Sequence, residues 1–180
     1  MTNVRLNGVP VDAYPRHAPE ARRGRMRPIT TTGHPVLHRP CRPVTAYGTT
    51  ELAQLVEDLF ATMYAADGMG LAANQIGVNL RLFVYDWTEN GTRHVGHLAN
   101  PVITRSSGRT LDEEGCLSVP GRFARVPRAE HVAVHGADQH GTPLTITGSG
   151  YFARCLQHET DYTRGRLFRD RRRPKKGRSR

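Results

Sequence analysis

Residues 155–162, with the sequence CLQHETDY, carry a His-Glu pair that is typical of a metal-binding helix. On a helix, the pattern His-Glu-x-x-His places two imidazoles four residues apart on one face, where both can bind one cation. The glutamate then acts on the water that the metal activates. Here Tyr162 occupies the second histidine position, and a lone His-Glu pair is weak evidence because either side chain can be satisfied locally. The segment therefore indicates the active-site helix of a metal hydrolase in which one expected metal ligand is missing.

Hydrophobic periodicity predicts an earlier helix over residues 50–66, with Thr49 or Thr50 as its cap. The helix that contains the His-Glu pair is predicted over residues 149–163, with Gly165 as its stop. Segments rich in β-branched and aromatic residues predict four strands, at 80–86, 95–103, 131–137 and 143–147. This order predicts an α+β fold, with antiparallel β-sheets packed around the central metal-binding helix and one further N-terminal helix.

The net charge of +10 is concentrated at the two ends of the 180-residue chain. Residues 1–27 carry a net charge of +4 and residues 169–180 one of +7, whereas residues 28–168 carry −1. We therefore expect a flexible basic N-terminal extension over 1–27, one folded domain over 28–168 and a disordered basic tail over 169–180. Basic ends favour phosphate backbones or anionic lipid, although a solvated tail is the simpler interpretation.

The expected compartment follows from the cysteines and from the apolar pattern. No apolar run is long enough to span a bilayer, and the Arg-rich beginning lacks the apolar stretch of a secretory signal. The three cysteines, Cys41, Cys116 and Cys155, cannot all pair with one another. Without an export signal, we expect reduced thiols and a cytoplasmic protein.

Two further segments carry residues that suit catalysis. Cys116 lies between acidic residues and a strand-like run, and it is either a small core residue or a thiolate ligand. A thiolate together with an imidazole suits zinc or ferrous iron. Gly68 and Gly70 let the backbone approach a ligand closely, and the segment lacks the Gly-Lys-Ser/Thr ending of a phosphate loop. Gln75, which ends this segment, is either a surface amide or a fixed donor to a developing oxyanion.

The three segments together resemble the peptide deformylase family. That family shows Gly-x-Gly-Leu-Ala-Ala-x-Gln, then Glu-Gly-Cys-Leu-Ser, then Gln-His-Glu-x-x-His, in this order. The corresponding segments here are GMGLAANQ at 68–75, EGCLS at 114–118 and QHETDY at 157–162. The resemblance extends over about residues 28–168, and three spaced motifs in order are highly specific.

The resemblance implies an enzyme that removes the N-formyl group from the initiator methionine of newly made bacterial polypeptides. Cys116 and His158 would bind one divalent metal ion, Fe²⁺ first and otherwise Zn²⁺ or Ni²⁺, with Tyr162 in the position of the third ligand. Glu159 would take a proton from the attacking water and pass it to the leaving amine. The side chain of Gln75 and the backbone N–H of Leu117 would hold the oxyanion.

The resemblance also implies where the substrate lies. The peptide would pair in an extended form with the segment at Gly68, Met69 and Gly70, beside Glu114 and Gly115. The expected partners are N-formylmethionyl nascent chains and, through the basic tail, ribosomal RNA. No membrane partner is expected.

Two other interpretations stay open, and the first of them rests on Tyr162. A phenol is longer than an imidazole and ligates well only after losing its proton. The chain could therefore be a catalytically impaired relative that binds formyl-peptide ends or the ribosome without turnover. A zinc endopeptidase built on the His-Glu helix is the third alternative, and Cys116 within EGCLS, together with the glycine segment, favours the deformylase architecture over it.

Overall fold

The computed structural model describes residues 3–168 and residue 170. Within these residues the chain forms two α-helices, nine strands and three short 3-10 helices. The helices are α1 (Thr50–Ala65) and α2 (Gly150–Thr163), and the 3-10 helices cover Pro19–Arg22, Pro35–His38 and Ala73–Ile76. The strands are β1 (Asn3–Leu6), β2 (Val9–Val11), β3 (Gly70–Ala72), β4 (Leu82–Glu89), β5 (Thr92–Ser107), β6 (Thr110–Gly115), β7 (Phe123–Arg128), β8 (His131–Ala137) and β9 (Pro143–Ser149).

Seven of these strands form one sheet, and β6 pairs with β7 in a separate two-stranded sheet. The order in the large sheet is β2-β1-β5-β4-β3, with β8 paired to β5 and β9 paired to β8. Strand β1 runs parallel to β5, and the other strand pairs are antiparallel. The predicted α+β class is confirmed, with the β1–β5 pair as the exception to the antiparallel arrangement.

The two helices fill the core from different sides. Apolar residues of α1 pack with β3 and β4 in one cluster, and α2 packs against the large sheet in a second cluster. Every residue of α2 from 152 to 163 is buried, including its polar side chains. A helix that is buried on all sides is the centre of its domain, as the sequence predicted. Within the described residues, neither helix has the length and apolar content that crossing a membrane requires.

The helix ends follow the predicted signals. Thr49 caps α1, and its hydroxyl accepts a hydrogen bond from the backbone N–H of Leu52 at 3.2 Å. Gly165 follows α2 with φ of +67°, a left-handed conformation that glycine adopts without a steric penalty and that ends many helices. Both helices therefore begin and end within one residue of the predicted bounds.

The expectation of a flexible extension over residues 1–27 is wrong for the described part of that segment. Asn7 and Gly8, with φ of +49° and +82°, form the two-residue turn of a hairpin between β1 and β2. Positive φ at both positions suits such a turn, and Asn-Gly is its preferred sequence. Strand β1 then pairs with β5 from Asn3 to Leu6. The short strands and their exposed polar residues concealed this hairpin from the hydrophobic pattern.

The stretch after the hairpin lies along α1 and is fixed by that helix. The carboxylate of Asp58 accepts from the backbone N–H of Arg25, and the hydroxyl of Thr62 accepts from that of Arg27, both at 2.9 Å. These contacts satisfy backbone groups that would otherwise need water. The predicted disordered tail, residues 169–180, lies outside the described residues except for Asp170.

Candidate metal and active site

One cleft of about 550 Å³ brings the three sequence motifs together. Its walls come from the segment around β3, from the β6–β7 hairpin and from α2. The predicted site residues that line it are Gly68, Met69, Gly70, Gln75, Glu114, Gly115, Cys116, Leu117, His158 and Glu159. Tyr162 does not line the cleft but lies directly behind Cys116, fully buried. The structure therefore places every predicted site residue in one region.

Cys116, His158 and Tyr162 lie against one another. Cys116 directly follows β6, and its sulfur lies 2.8 Å from the hydroxyl of Tyr162 and in hydrogen-bonding contact with the imidazole of His158. The rings of His158 and Tyr162, four residues apart on α2, are stacked with centroids 5.0 Å apart. The helical spacing of these two residues thus places both beside the thiol, as the motif predicted.

A buried charged network orients the imidazole of His158. Its Nδ1 lies 2.5 Å from the carboxylate of Glu114, which also accepts from the guanidinium groups of Arg128 and Arg154. Arg128 bonds Asp161 as well, at 2.5 Å. With Nδ1 held by a carboxylate, the other ring nitrogen is directed to the thiol side, which is how metal-binding histidines are usually oriented.

The same network sets the charges around the site. Burial opposes a charged carboxylate at Glu114, but hydrogen bonds from His158 and Arg128 outweigh it and lower the pKa of this group well below its ordinary value. Burial also favours a neutral His158, but Cys116 and Glu114 outweigh it and raise the pKa of the imidazole. Metal ligation requires the neutral imidazole, so binding of a cation releases that proton.

Glu159 is placed to exchange a proton. Its side chain is buried, and Oε2 has no hydrogen-bond partner among the described residues. Burial raises the pKa of this carboxyl to about 7, near the value that suits an acid-base catalyst at neutral pH. Gly70 packs directly against it, since a Cβ there would lie 2.8 Å from Oε1 of Glu159.

Gln75 and Leu117 present N–H groups to the same cleft. The carbonyl oxygen of the Gln75 side chain accepts from the backbone N–H of Ala72 at 2.9 Å, which fixes the orientation of the amide. Its NH₂ group then points at the site, donating to Ser118 at 3.2 Å and to the sulfur of Cys116 at 3.5 Å. The backbone N–H of Leu117 has no protein acceptor among the described residues. Two such donors can stabilise a developing negative charge.

Several supporting residues were not predicted from the sequence. Arg128, Arg154 and Asp161 complete the charged network, and Asn74 donates to the backbone carbonyl of Tyr162 at 2.6 Å. Arg154 precedes His158 by four residues, so helical spacing alone could have placed it on the same face. Arg128 lies at the end of β7, and no local sequence pattern indicates its partners.

The donor atoms present suit one divalent cation. Within the described residues, His, Cys, Asp and Glu side chains form no group of three or more that could hold a metal. A thiol, an imidazole and a phenol nevertheless converge at Cys116, His158 and Tyr162. Two ligands of one tetrahedral ion, bonded at about 2.3 Å through sulfur and about 2.0 Å through oxygen, lie about 3.5 Å apart. The present contact of 2.8 Å between sulfur and hydroxyl is a hydrogen bond and would have to open for both atoms to ligate.

A family model described as polypeptide deformylase matches residues 26–178. The chain belongs to the peptide deformylase family. Members of this family are metal-dependent enzymes, and the resemblance inferred from the three motifs is confirmed.

Relatives and solved structures support the same assignment. Peptide deformylase 1 of Streptomyces avermitilis is 51% identical over 165 residues, which cover 89% of this chain and 76% of the relative. Peptide deformylase 2 of Streptomyces coelicolor is 51% identical over 150 residues, covering 82% and 83% of the two chains. The crystal structure of a peptide deformylase from Legionella pneumophila superposes with a TM-score of 0.77 at 44% identity, covering 83% of this chain and 88% of that one. The fold of this deformylase is thus the fold of its relatives.

Proposed function

We propose that this deformylase hydrolyses the formyl group from the N-terminal formyl-methionine of newly made polypeptides, with Glu159 as the group that moves the proton. The observation that carries the proposal is the buried Glu159 carboxylate, which has an unpartnered oxygen and a pKa of about 7, in one cleft with Cys116 and His158. Glu159 takes a proton from the attacking water and later delivers it to the leaving amine.

Cys116, His158 and Tyr162 are the residues that would hold the metal. A bound divalent ion supplies Lewis acidity, which lowers the pKa of water to near neutrality. We take Fe²⁺ as the native ion, with Zn²⁺ and Ni²⁺ as the other candidates, since thiolate and imidazole suit all three. Glu114 keeps the imidazole of His158 oriented, and Arg128 and Arg154 neutralise that carboxylate.

Gln75 and the backbone N–H of Leu117 hold the oxygen that becomes negatively charged when water adds to the formyl carbon. The amide of Gln75 is fixed at both ends, by Ala72 and by Ser118, so it needs little reorganisation during the reaction. Removing one such donor typically slows turnover by about 10²- to 10³-fold.

The substrate backbone is proposed to pair with β3. This strand lies at one end of the sheet order and its first residue, Gly70, lines the cleft, so it offers a free edge to an extended peptide. Met69 and Gly68 extend this wall, and Gly115 lines the opposite one. The carboxylate of Glu114 is occupied by two guanidinium groups and His158, so it supports the site rather than grasping the substrate.

Tyr162 is the proposed third ligand, reached by opening its hydrogen bond to Cys116. Burial and the neighbouring sulfur raise the pKa of its phenol well above the ordinary value, so the proton leaves only when a cation replaces it. Tyr162 also favours the second candidate function, which is the binding of formyl-peptide ends without turnover.

The proposed compartment follows from the substrate. Nascent polypeptides are made in the cytoplasm, and we place the enzyme there.

Contact between the basic tail, residues 169–180, and ribosomal RNA is a separate proposal. Deleting residues 170–180 should weaken ribosome binding at moderate salt, and an unchanged affinity would exclude this contact.

The test measures bound metal and formate release from formyl-Met-Ala-Ser, on protein purified without oxygen and supplied with Fe²⁺ or Ni²⁺. We expect a full complement of metal and steady formate release. Glu159→Gln should retain the metal and lose turnover, because only the proton transfer is removed. Metal-free, inactive protein that regains both properties in Tyr162→His would instead support the non-catalytic function.

One variant, Tyr162→Phe, separates the possible roles of Tyr162. If its oxygen ligates, Tyr162→Phe should lower metal affinity by at least about tenfold, and Fe³⁺-loaded wild type should show a phenolate charge-transfer band that this variant lacks. Unchanged metal affinity in Tyr162→Phe and no such band would mean that the phenol only donates to the sulfur of Cys116.

A further inference from the structure

A second cleft of about 550 Å³ lies away from the metal site, where the N-terminal hairpin meets the large sheet. Arg5 and Gly8 of the hairpin form one side, and the end of β5 with the beginning of β8 forms the other. We call it the basic groove, because Arg5, His94, Arg105 and His131 line it and no acidic residue does. The hairpin precedes residue 26, where the match to the deformylase family begins.

The basic side chains that line the groove form no ion pair among the described residues. The side chains of Arg105 and His131 are exposed, and neither forms a hydrogen bond or an ion pair among the described residues. Arg5 is exposed as well, and its guanidinium donates to the carbonyl of Gly8 at 3.0 Å, a contact that fixes its direction without neutralising it. Unpaired basic side chains on several strands create a positive potential that attracts anions.

His94 links the groove to the core. Its ring stacks on Phe152, which belongs to the buried core, with centroids 4.1 Å apart. Burial lowers the pKa of this imidazole, the charge of Arg5 lowers it further, and the charge of Glu89 opposes both. Ser107, Thr147 and Ser149 also line it and add hydroxyl donors.

We infer that the basic groove binds the phosphodiester backbone of a single-stranded nucleic acid. Guanidinium groups form charge-assisted, bidentate hydrogen bonds with phosphate oxygens, and hydroxyls and imidazoles supply further donors. Arg5 of the hairpin and Arg105 of β5 lie on opposite sides of the groove, so a strand between them can place a phosphate against each. The lining contains no large exposed apolar side chain that would insert into lipid, which favours a polyanion over a membrane surface.

The experiment measures the affinity of the full chain for a fluorescein-labelled oligouridine by anisotropy, between about 50 and 200 mM salt. The test variant is Arg5→Ala/Arg105→Ala. The matched control is Arg16→Ala/Arg22→Ala, which removes two exposed arginines of the N-terminal segment that do not line the groove. Both variants have the same net charge, and formate release from both should equal that of the wild type, because neither touches the metal site.

The groove variant should bind more weakly than the control, and its plot of log affinity against log salt should be shallower by about 1.4, at about 0.7 for each lost phosphate contact to a single strand. Equal losses in the two variants would overturn the inference, since net charge alone would then explain binding. Displacement of the oligonucleotide by millimolar AMP or inorganic phosphate would assign the groove to small phosphates instead. Binding to phosphatidylglycerol vesicles that depends on Arg5 and Arg105, without oligonucleotide binding, would equally overturn it.

Discussion

Replacing Gly70 by alanine tests whether Glu159 is held in place by the backbone of β3. A Cβ at residue 70 would lie 2.8 Å from Oε1 of Glu159, 3.0 Å from its Cγ and 2.9 Å from the sulfur of Cys155. Ordinary contacts of a Cβ begin at 3.4 Å, so the carboxylate must retreat by about 0.6 Å, the difference between 3.4 and 2.8 Å. Both neighbours are buried on α2, which leaves them little space to move.

The expected losses of stability and of catalytic rate follow from that displacement. Overpacking of a well-filled core typically costs about 1–3 kcal/mol, so Gly70→Ala should fold with a lower free energy of unfolding. Misplacing a catalytic group by about 1 Å can cost about 10²-fold in rate, so a shift of about half that size should lower kcat by about tenfold. Urea unfolding gives the first quantity, and formate release at saturating formyl-Met-Ala-Ser gives the second.

Gly68→Ala is the matched control, because it adds the same methyl group to the same wall of the cleft. A Cβ at residue 68 would meet the end of the Leu117 side chain at 3.1 Å, and a flexible terminus can move by a few tenths of an ångström. We expect its kcat to stay within about threefold of the wild type. If Gly70→Ala matched Gly68→Ala in kcat, Glu159 would not be positioned by this contact and the reasoning would be refuted.

Two further predictions concern stability. Arg128→Met leaves Glu114 and Asp161 buried without this guanidinium, so urea unfolding should show a loss of about 3–5 kcal/mol, whereas the exposed Arg125→Met should stay within about 0.5 kcal/mol of the wild type. A small effect of Arg128→Met would mean that the network is solvated. Burial lowers the pKa of His97 from 6.5 to about 4, so the unfolded state takes up a proton there first. The contribution of His97 to the free energy of unfolding is therefore complete above pH 6.5, and up to about 3 kcal/mol of it is lost as the pH drops toward 4. Urea unfolding that showed the same pH dependence for the wild type and His97→Gln would contradict this.

The elements that the sequence predicts well are those whose signals are local. Both helices have caps or stops next to an apolar or motif-bearing face, and their bounds hold to within one residue. Strand β8, over His131–Ala137, matches its predicted bounds because its buried residues are consecutive and apolar. The candidate site residues come from three spaced motifs, each of which is short enough to be recognised in the sequence, and the structure places them in one region.

What the sequence does not predict depends on contacts between distant segments. The β6–β7 hairpin is rich in charged residues, and its inward carboxylate at Glu114 is tolerated only because Arg128, at the end of β7, and Arg154, on α2, both reach it. The β1–β2 hairpin is too short and too polar to show a hydrophobic pattern, and it becomes a strand pair only beside β5. Partners of this kind cannot be inferred from local spacing.

The pairing of β1 with β5 also determines the order in which the chain can assemble. Asn3 is synthesised 89 residues before Thr92, its partner in the sheet. At about 5–20 residues per second, Asn3 is added to the chain about 5–20 s before Thr92. A parallel pair of such long sequence separation also has a high loop-closure cost, so it forms late. The hairpin at the beginning of the chain is therefore among the last parts of the molecule to dock, and the groove that it completes exists only in the finished fold.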